Sequence, residues 1–214
     1  MTFQRVVSRG LSAALLSLAS LSADAASVAY FLDQSNDMPD GTNYLKVTIS
    51  DSSVNVGDID FRVDVLTANF PLPGANFGMQ TFAFNYDTGL SVGVANIAGV
   101  DPSTWGIAQD QNPGGGFGKF EFQLSGTGSD RTELLTFSIT NVAGDSPSSY
   151  AMGSTLKPSA DEFFAAHVAG FDAGGGITSA QFAGSTSAPV PLPTALWLMG
   201  SGFVALAGLI RRRV

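Results

Sequence analysis

Chemistry needs partners, and few are offered here. His167 is the only histidine, set in Phe163-Phe164-Ala165-Ala166-His167-Val168-Ala169, and a lone imidazole acts as base or metal ligand only beside a carboxylate, a nucleophile or further ligands. Its plainer role is a structural histidine at a sheet surface. Glu121, Glu133 and Glu162 are the only glutamates, and no clustered pair of the kind that cleaves glycosidic bonds, two carboxylates about 5 to 10 Å apart, stands out. The chain has no Gly-x-Ser-x-Gly elbow, Walker loop or dinucleotide-binding glycine pattern. No cysteine is present, which removes thiol nucleophiles, thiolate metal sites and disulfides together.

Two acidic groupings remain. Asp33, Asn36, Asp37 and Asp40-Gly41 are an oxygen-rich stretch that fails the spacing of a calcium loop and reads as a solvated turn. Asp58, Asp60 and Asp64 share one face of a strand, where charge discourages edge pairing. The expectation is no metal, no cofactor and no catalysis. One binding candidate is left: Trp105, in the polar run Asp101 to Gly106 with Asp110, Gln111 and Asn112 after it, could stack on a sugar ring while Asp110 and Asn112 bind hydroxyls. Against that platform stands the simpler reading, an indole that plugs the end of the domain.

The elements that must position these residues are strands. Ile59, Phe61, Val63 and Val65 alternate with Asp58, Asp60, Arg62 and Asp64, the period of a strand with one buried and one wet face. Leu45, Val47 and Ile49 repeat the pattern, as do Phe82, Phe84 and Tyr86, then Phe120, Phe122 and Leu124, then Leu135, Phe137 and Ile139. Weaker strands are expected over Val28 to Asp33, Leu90 to Ala95, Phe163 to Ala169 and Ile177 to Phe182, giving about nine. Gly, Pro, Asn and Asp clusters separate them, including Asn112-Pro113-Gly114-Gly115-Gly116. A short helical turn is expected at Ser159 to Phe164, with Ser159 capping and Glu162 at its third position. The fold class is therefore all-β, an antiparallel β-sandwich of jelly-roll-like or immunoglobulin-like outline.

Charge narrows the partners. Of 214 residues, the stretch from Ala26 to Pro189 holds five basic against seventeen acidic residues, a formal −12. A domain so acidic lacks the clustered Lys and Arg that phosphate backbones require, which excludes nucleic acid.

Both ends read as addresses. Arg5 and Arg9, an apolar run from Leu11 to Leu21 and Ala23-Asp24-Ala25 form a secretory signal peptide over residues 1–25. Residues 26–184 make the β domain, and residues 185–189 a small polar stalk. Residues 190–214 follow as a tail. Leu192 to Ile210 is free of charge, and 19 residues at about 1.5 Å each cover roughly 28 Å, enough to cross a hydrocarbon core as a transmembrane helix. Arg211, Arg212 and Arg213 stop that span with the C-terminus on the cytoplasmic side.

Val190-Pro191-Leu192-Pro193, the opening Ala195-Leu196-Trp197-Leu198-Met199-Gly200-Ser201-Gly202 and the terminal arginines resemble the PEP-CTERM sorting signal of Gram-negative bacteria, in its Val-Pro-Leu-Pro-Ala variant. Leu192 stands where the commoner motif has glutamate, and Thr194 where the variant has alanine. The resemblance covers about an eighth of the chain. It implies an exosortase-like membrane enzyme as partner, anchorage in the inner membrane, and then delivery to the cell surface or extracellular matrix. For the β domain it leaves a structural or adhesive role, or alternatively a carbohydrate-binding module for exopolysaccharide.

Overall fold

The computed structural model describes residues 26–155 and 161–188, all within one compact unit, Ala25–Leu192. The signal peptide, the Val190 to Pro193 motif, the Leu192 to Ile210 span and Arg211 to Arg213 lie outside the described residues. Among those described, no helix is long and apolar enough to cross a membrane.

Among the described residues twelve strands run in chain order: β1 (Ser27–Leu32), β2 (Gln34–Ser35), β3 (Leu45–Asp51), β4 (Ile59–Val65), β5 (Gly78–Phe84), β6 (Ile97–Asp101), β7 (Gly106–Gln111), β8 (Phe120–Ser125), β9 (Leu134–Ile139), β10 (Phe164–Ala169), β11 (Ser179–Gly184) and β12 (Thr186–Ser187). They form two six-stranded antiparallel sheets, one ordered β12-β1-β3-β4-β9-β6 and the other β2-β11-β10-β5-β8-β7. The described residues are thus all-β and sandwich-like, as the alternation implies.

The inward residues of both sheets meet in one aromatic core. Phe61 of β4 stacks on Phe137 of β9 with centroids 4.5 Å apart, and crosses to Phe84 of β5 at 5.3 Å. Tyr44 contacts Phe182 of β11 at 4.6 Å. Offset and edge contacts of this kind add about 0.5–1.5 kcal/mol each beyond area burial. Packing of this density supplies the stability that the absent disulfides do not.

Three expectations change. Leu90 to Ala95 is no strand: Asp87 Oδ1 accepts the Gly89 N–H at 2.8 Å, and a 3-10 turn follows at Val94–Asn96. No helical turn forms over Asp161 to Phe164, because the Phe163 N–H already donates to the Gly184 carbonyl (3.2 Å) and Phe164 opens β10; Ser159 lies outside the described residues. Ser185 to Ala188 is not a free stalk either. Thr186 and Ser187 pair with Phe31 and Tyr30 of β1, and Ala188 is buried with its N–H on the Ala29 carbonyl at 2.8 Å.

The second sheet carries an extra layer. The glycine-rich segment Asn112 to Gly118 lies across its outer face, and its Phe117 is buried with Phe120 against Ala83, Ala165 and Ala183. Those alanines occupy one row of β5, β10 and β11, in register. Small side chains there leave room for the strap.

Candidate functional site

The outer face of the first sheet is open. Strand alternation that buries Val47, Ile49, Phe61, Val63, Phe137 and Ile139 turns the intervening polar residues outward. Antiparallel register then arranges them in rows across β3, β4 and β9: Thr48 with Arg62 and Thr136, and Ser50 with Asp60 and Ser138. Adjacent strands sit about 4.8 Å apart and same-face residues of one strand about 6.8 Å apart, so the rows form a polar grid. The β3–β4 loop borders it with Ser52, Val54 and Asn55, and Gly99 of β6 closes the far side. The groove measures about 530 Å³.

Some of its polar groups are already engaged. Ser138 Oγ donates to Asp60 Oδ1 at 2.7 Å, and Arg62 grips Asp64 through Nε (2.9 Å) and Nη2 (2.5 Å). That exposed fork neutralises charge and contributes at most about 1 kcal/mol to stability. Among the described residues, the hydroxyls of Thr48, Ser50 and Thr136 carry no intramolecular bond and stay available to a ligand. Val54, 83% exposed at the rim, adds an apolar contact. A grid of hydroxyls with an arginine and a carboxylate, without a histidine or a thiol, can hold a polyhydroxylated chain by hydrogen bonding.

The Trp105 trio does not assemble. Trp105 is 5% exposed, packs in the main core, and donates from Nε1 to the Asp130 carbonyl at 2.8 Å. A covered indole offers no face to a sugar ring, so the plug is the reading that fits its surroundings. Asp110 is exposed on β7, 3.4 Å from Lys119 Nζ, and Asn112 Oδ1 accepts the Gly114 N–H at 3.1 Å. Neither faces a common ligand with Trp105.

The acidic turn is likewise occupied by its own bonds. Asp33 accepts from Thr186 Oγ1 (2.9 Å), Asp40 from the Ser35 N–H (2.9 Å), and Asn36 Oδ1 from the Gln181 N–H (2.7 Å). Among the described residues, no group of three or more His, Asp or Glu side chains converges as metal ligands would. His167 is half-buried on the outer face of β10 between Thr81 and Gln181, and burial together with the Arg131 guanidinium holds its pKa below the ordinary value.

Comparison with family models, curated proteins and solved structures returns no match to this chain. Apart from Asp60, which the sequence marks with Asp58 and Asp64 as one acidic strand face, the groove residues carry no distinctive signal, because wet-face threonines and serines are ordinary in a half-buried strand. Only knowledge that β3, β4 and β9 are neighbours turns three separate polar alternations into one surface.

Proposed function

We propose that this chain is an exported protein whose β-sandwich, jelly-roll-like or immunoglobulin-like in outline, serves a structural or adhesive role at the cell surface or in the extracellular matrix. The observation that carries the reading is the pairing, on one chain, of a secretory leader with the three-part tail from Val190 to Val214. In this reading Leu192 to Ile210 holds the protein in the inner membrane, Arg211 to Arg213 remain cytoplasmic, and an exosortase-like enzyme recognises Val190 to Pro193. Thr186 and Ser187 pair with β1, so in this reading the recognised segment is the Val190 to Pro193 motif and not the residues before Ala188. Intact mass of the mature protein from its native host tests this. A product that starts near Ala26 and ends before Arg211 is expected, and one still ending at Val214 refutes cleavage.

The groove favours a second reading, carbohydrate binding to the exopolysaccharide. Here the free hydroxyls of Thr48, Ser50 and Thr136 take the part that the sequence assigned to Trp105. Affinity electrophoresis in the host's polysaccharide is expected to retard the parent chain and its Trp105→Phe variant, and to leave a Thr48→Ala/Ser50→Ala/Thr136→Ala variant unretarded. Equal mobility of all three disposes of it.

A further inference from the structure

On the second sheet, the face opposite the core divides at its middle. The strap carrying Phe117 seals the alanine end, and beyond it β10 and β11 present a hollow of about 320 Å³ lined by Arg131, His167, Ala169, Gly170, Thr178 and Ser179. Among the described residues, each polar side chain around it keeps a donor without a partner. Arg131 reaches in from the β8–β9 connection with Nη1 on the Asn76 carbonyl (3.0 Å) and Nε 3.5 Å from Gln80 Oε1, which leaves Nη2 without an acceptor among the described residues. The two ion pairs of the described residues are Arg62 with Asp64 and Lys119 with Asp110, and neither involves Arg131. Among the described residues the His167 imidazole and the Thr178 and Ser179 hydroxyls also make no hydrogen bond.

Four donors, two of them able to carry positive charge, thus border one concavity with no carboxylate paired to them, in a stretch that has seventeen acidic residues to choose from. We propose that the hollow between Arg131 and His167 is a subsite for a single small oxyanion, a carboxylate or a phosphate-type group borne by a compact ligand. Arg131 supplies the fixed charge, since a guanidinium stays protonated and presents a planar fork to such oxygens. Thr178 and Ser179 supply neutral donors, and His167 donates a further bond from its protonated ring nitrogen. The net negative charge of the domain, −12 from Ala26 to Pro189, selects against long polyanions and leaves the site to a short or singly charged group.

His167 reports on the site by itself. Full-length chain prepared without a histidine tag and labelled on histidine gives one imidazole signal, to be titrated with sodium glucuronate, inorganic phosphate, glucose and a sodium chloride control. A saturable shift with glucuronate or phosphate at tens of millimolar, none with glucose or chloride, supports the subsite. Tighter saturation by glucuronate assigns a sugar acid, and by phosphate a phosphomonoester. Arg131→Gln is expected to abolish the shift, and Thr178→Val, which leaves every bond of Arg131 in place, to weaken binding several-fold. Shifts no larger than the chloride control, or unchanged in both variants, overturn the proposal.

Discussion

Replacing Trp105 by alanine separates the two roles open to it, because a plug is felt in stability and a platform in binding. The indole is 5% exposed within the main core, and its N–H is bonded to the Asp130 carbonyl. Truncating a buried Trp to Ala costs about 3–5 kcal/mol through lost burial and the cavity left behind. For a domain of this size each kcal/mol lowers the melting temperature by roughly 2–4 °C, so a drop of about 6–20 °C is expected. Trp105→Phe keeps most of the apolar volume and loses the bond, leaving the Asp130 carbonyl unmatched, for about 1–3 kcal/mol. Urea unfolding of the full chain, read by far-ultraviolet circular dichroism, measures both, with the midpoint shifting and the slope unchanged. A Trp105→Ala variant within about 0.5 kcal/mol of the parent, the range of ordinary surface changes, would place the indole outside the core and restore it as a platform.

Three other outcomes follow from the packing. Tyr150 is fully buried edge-on to Phe61 and donates to Asp145 Oδ2 at 2.5 Å; Tyr150→Phe keeps the ring contact and should cost about 1.5–3 kcal/mol in urea unfolding, the loss of a bond to a charged acceptor. Because burial and Arg131 depress the His167 pKa, the unfolded chain takes up its proton first as pH falls below about 6.5. Stability from this group is therefore complete above that pH and declines toward the lower folded value, a slope that His167→Gln should remove in a pH series of urea midpoints. A Cβ on Gly115, at φ +68°, would stand 2.6 Å from Gln181 Cβ and 2.8 Å from the Phe117 ring, whereas one on Gly57, at φ +94°, meets nothing within 4 Å. Gly57→Ala should thus cost only backbone strain, about 1–2 kcal/mol, and Gly115→Ala clearly more, with the strap displaced.

What the sequence disclosed follows burial. β3, β4, β5, β8 and β9 are central in their sheets with one face inward, so Ile59 to Val65 or Phe120 to Leu124 announce themselves by alternation. β6 and β7 are edge strands; Ile97 is the only residue of either that is buried, and neither Ile97–Asp101 nor Gly106–Gln111 shows an apolar period. Leu90, Val92 and Val94 have the period without the strand, since the Asp87 turn and the 3-10 segment fix the backbone locally. β10 conceals its two faces for another reason. Ala165 is covered by the strap as fully as Ala166 is covered by the core, and a run of glycines near residue 115 does not say which sheet it will cross. The candidate groove was hidden in the same way, its residues visible one strand at a time.

The treatment of the sheet edges bears on how an adhesive domain could work. Both sheets end in a two-residue strand on one side, β12 and β2, which offers almost no template for another chain. On the other side β6 shifts register between Ala98 and Asp101, with Gly99 at φ +62°, and β7 carries Asp110 at φ +55°. Short, bulged and charged edges oppose the strand addition by which sheets polymerise. Adhesion by this domain then falls to its faces. The two differ: the first sheet shows an uninterrupted grid from Thr48 to Thr136, and the second is half sealed by Phe117 with a compact cationic hollow beyond. A broad neutral grid suits repeated weak bonds to a hydroxyl-rich chain, while a hollow with one guanidinium suits a single group. Purified chain that formed cross-β filaments in solution would contradict this division, because such growth needs the edges that β2, β6, β7 and β12 keep short or irregular.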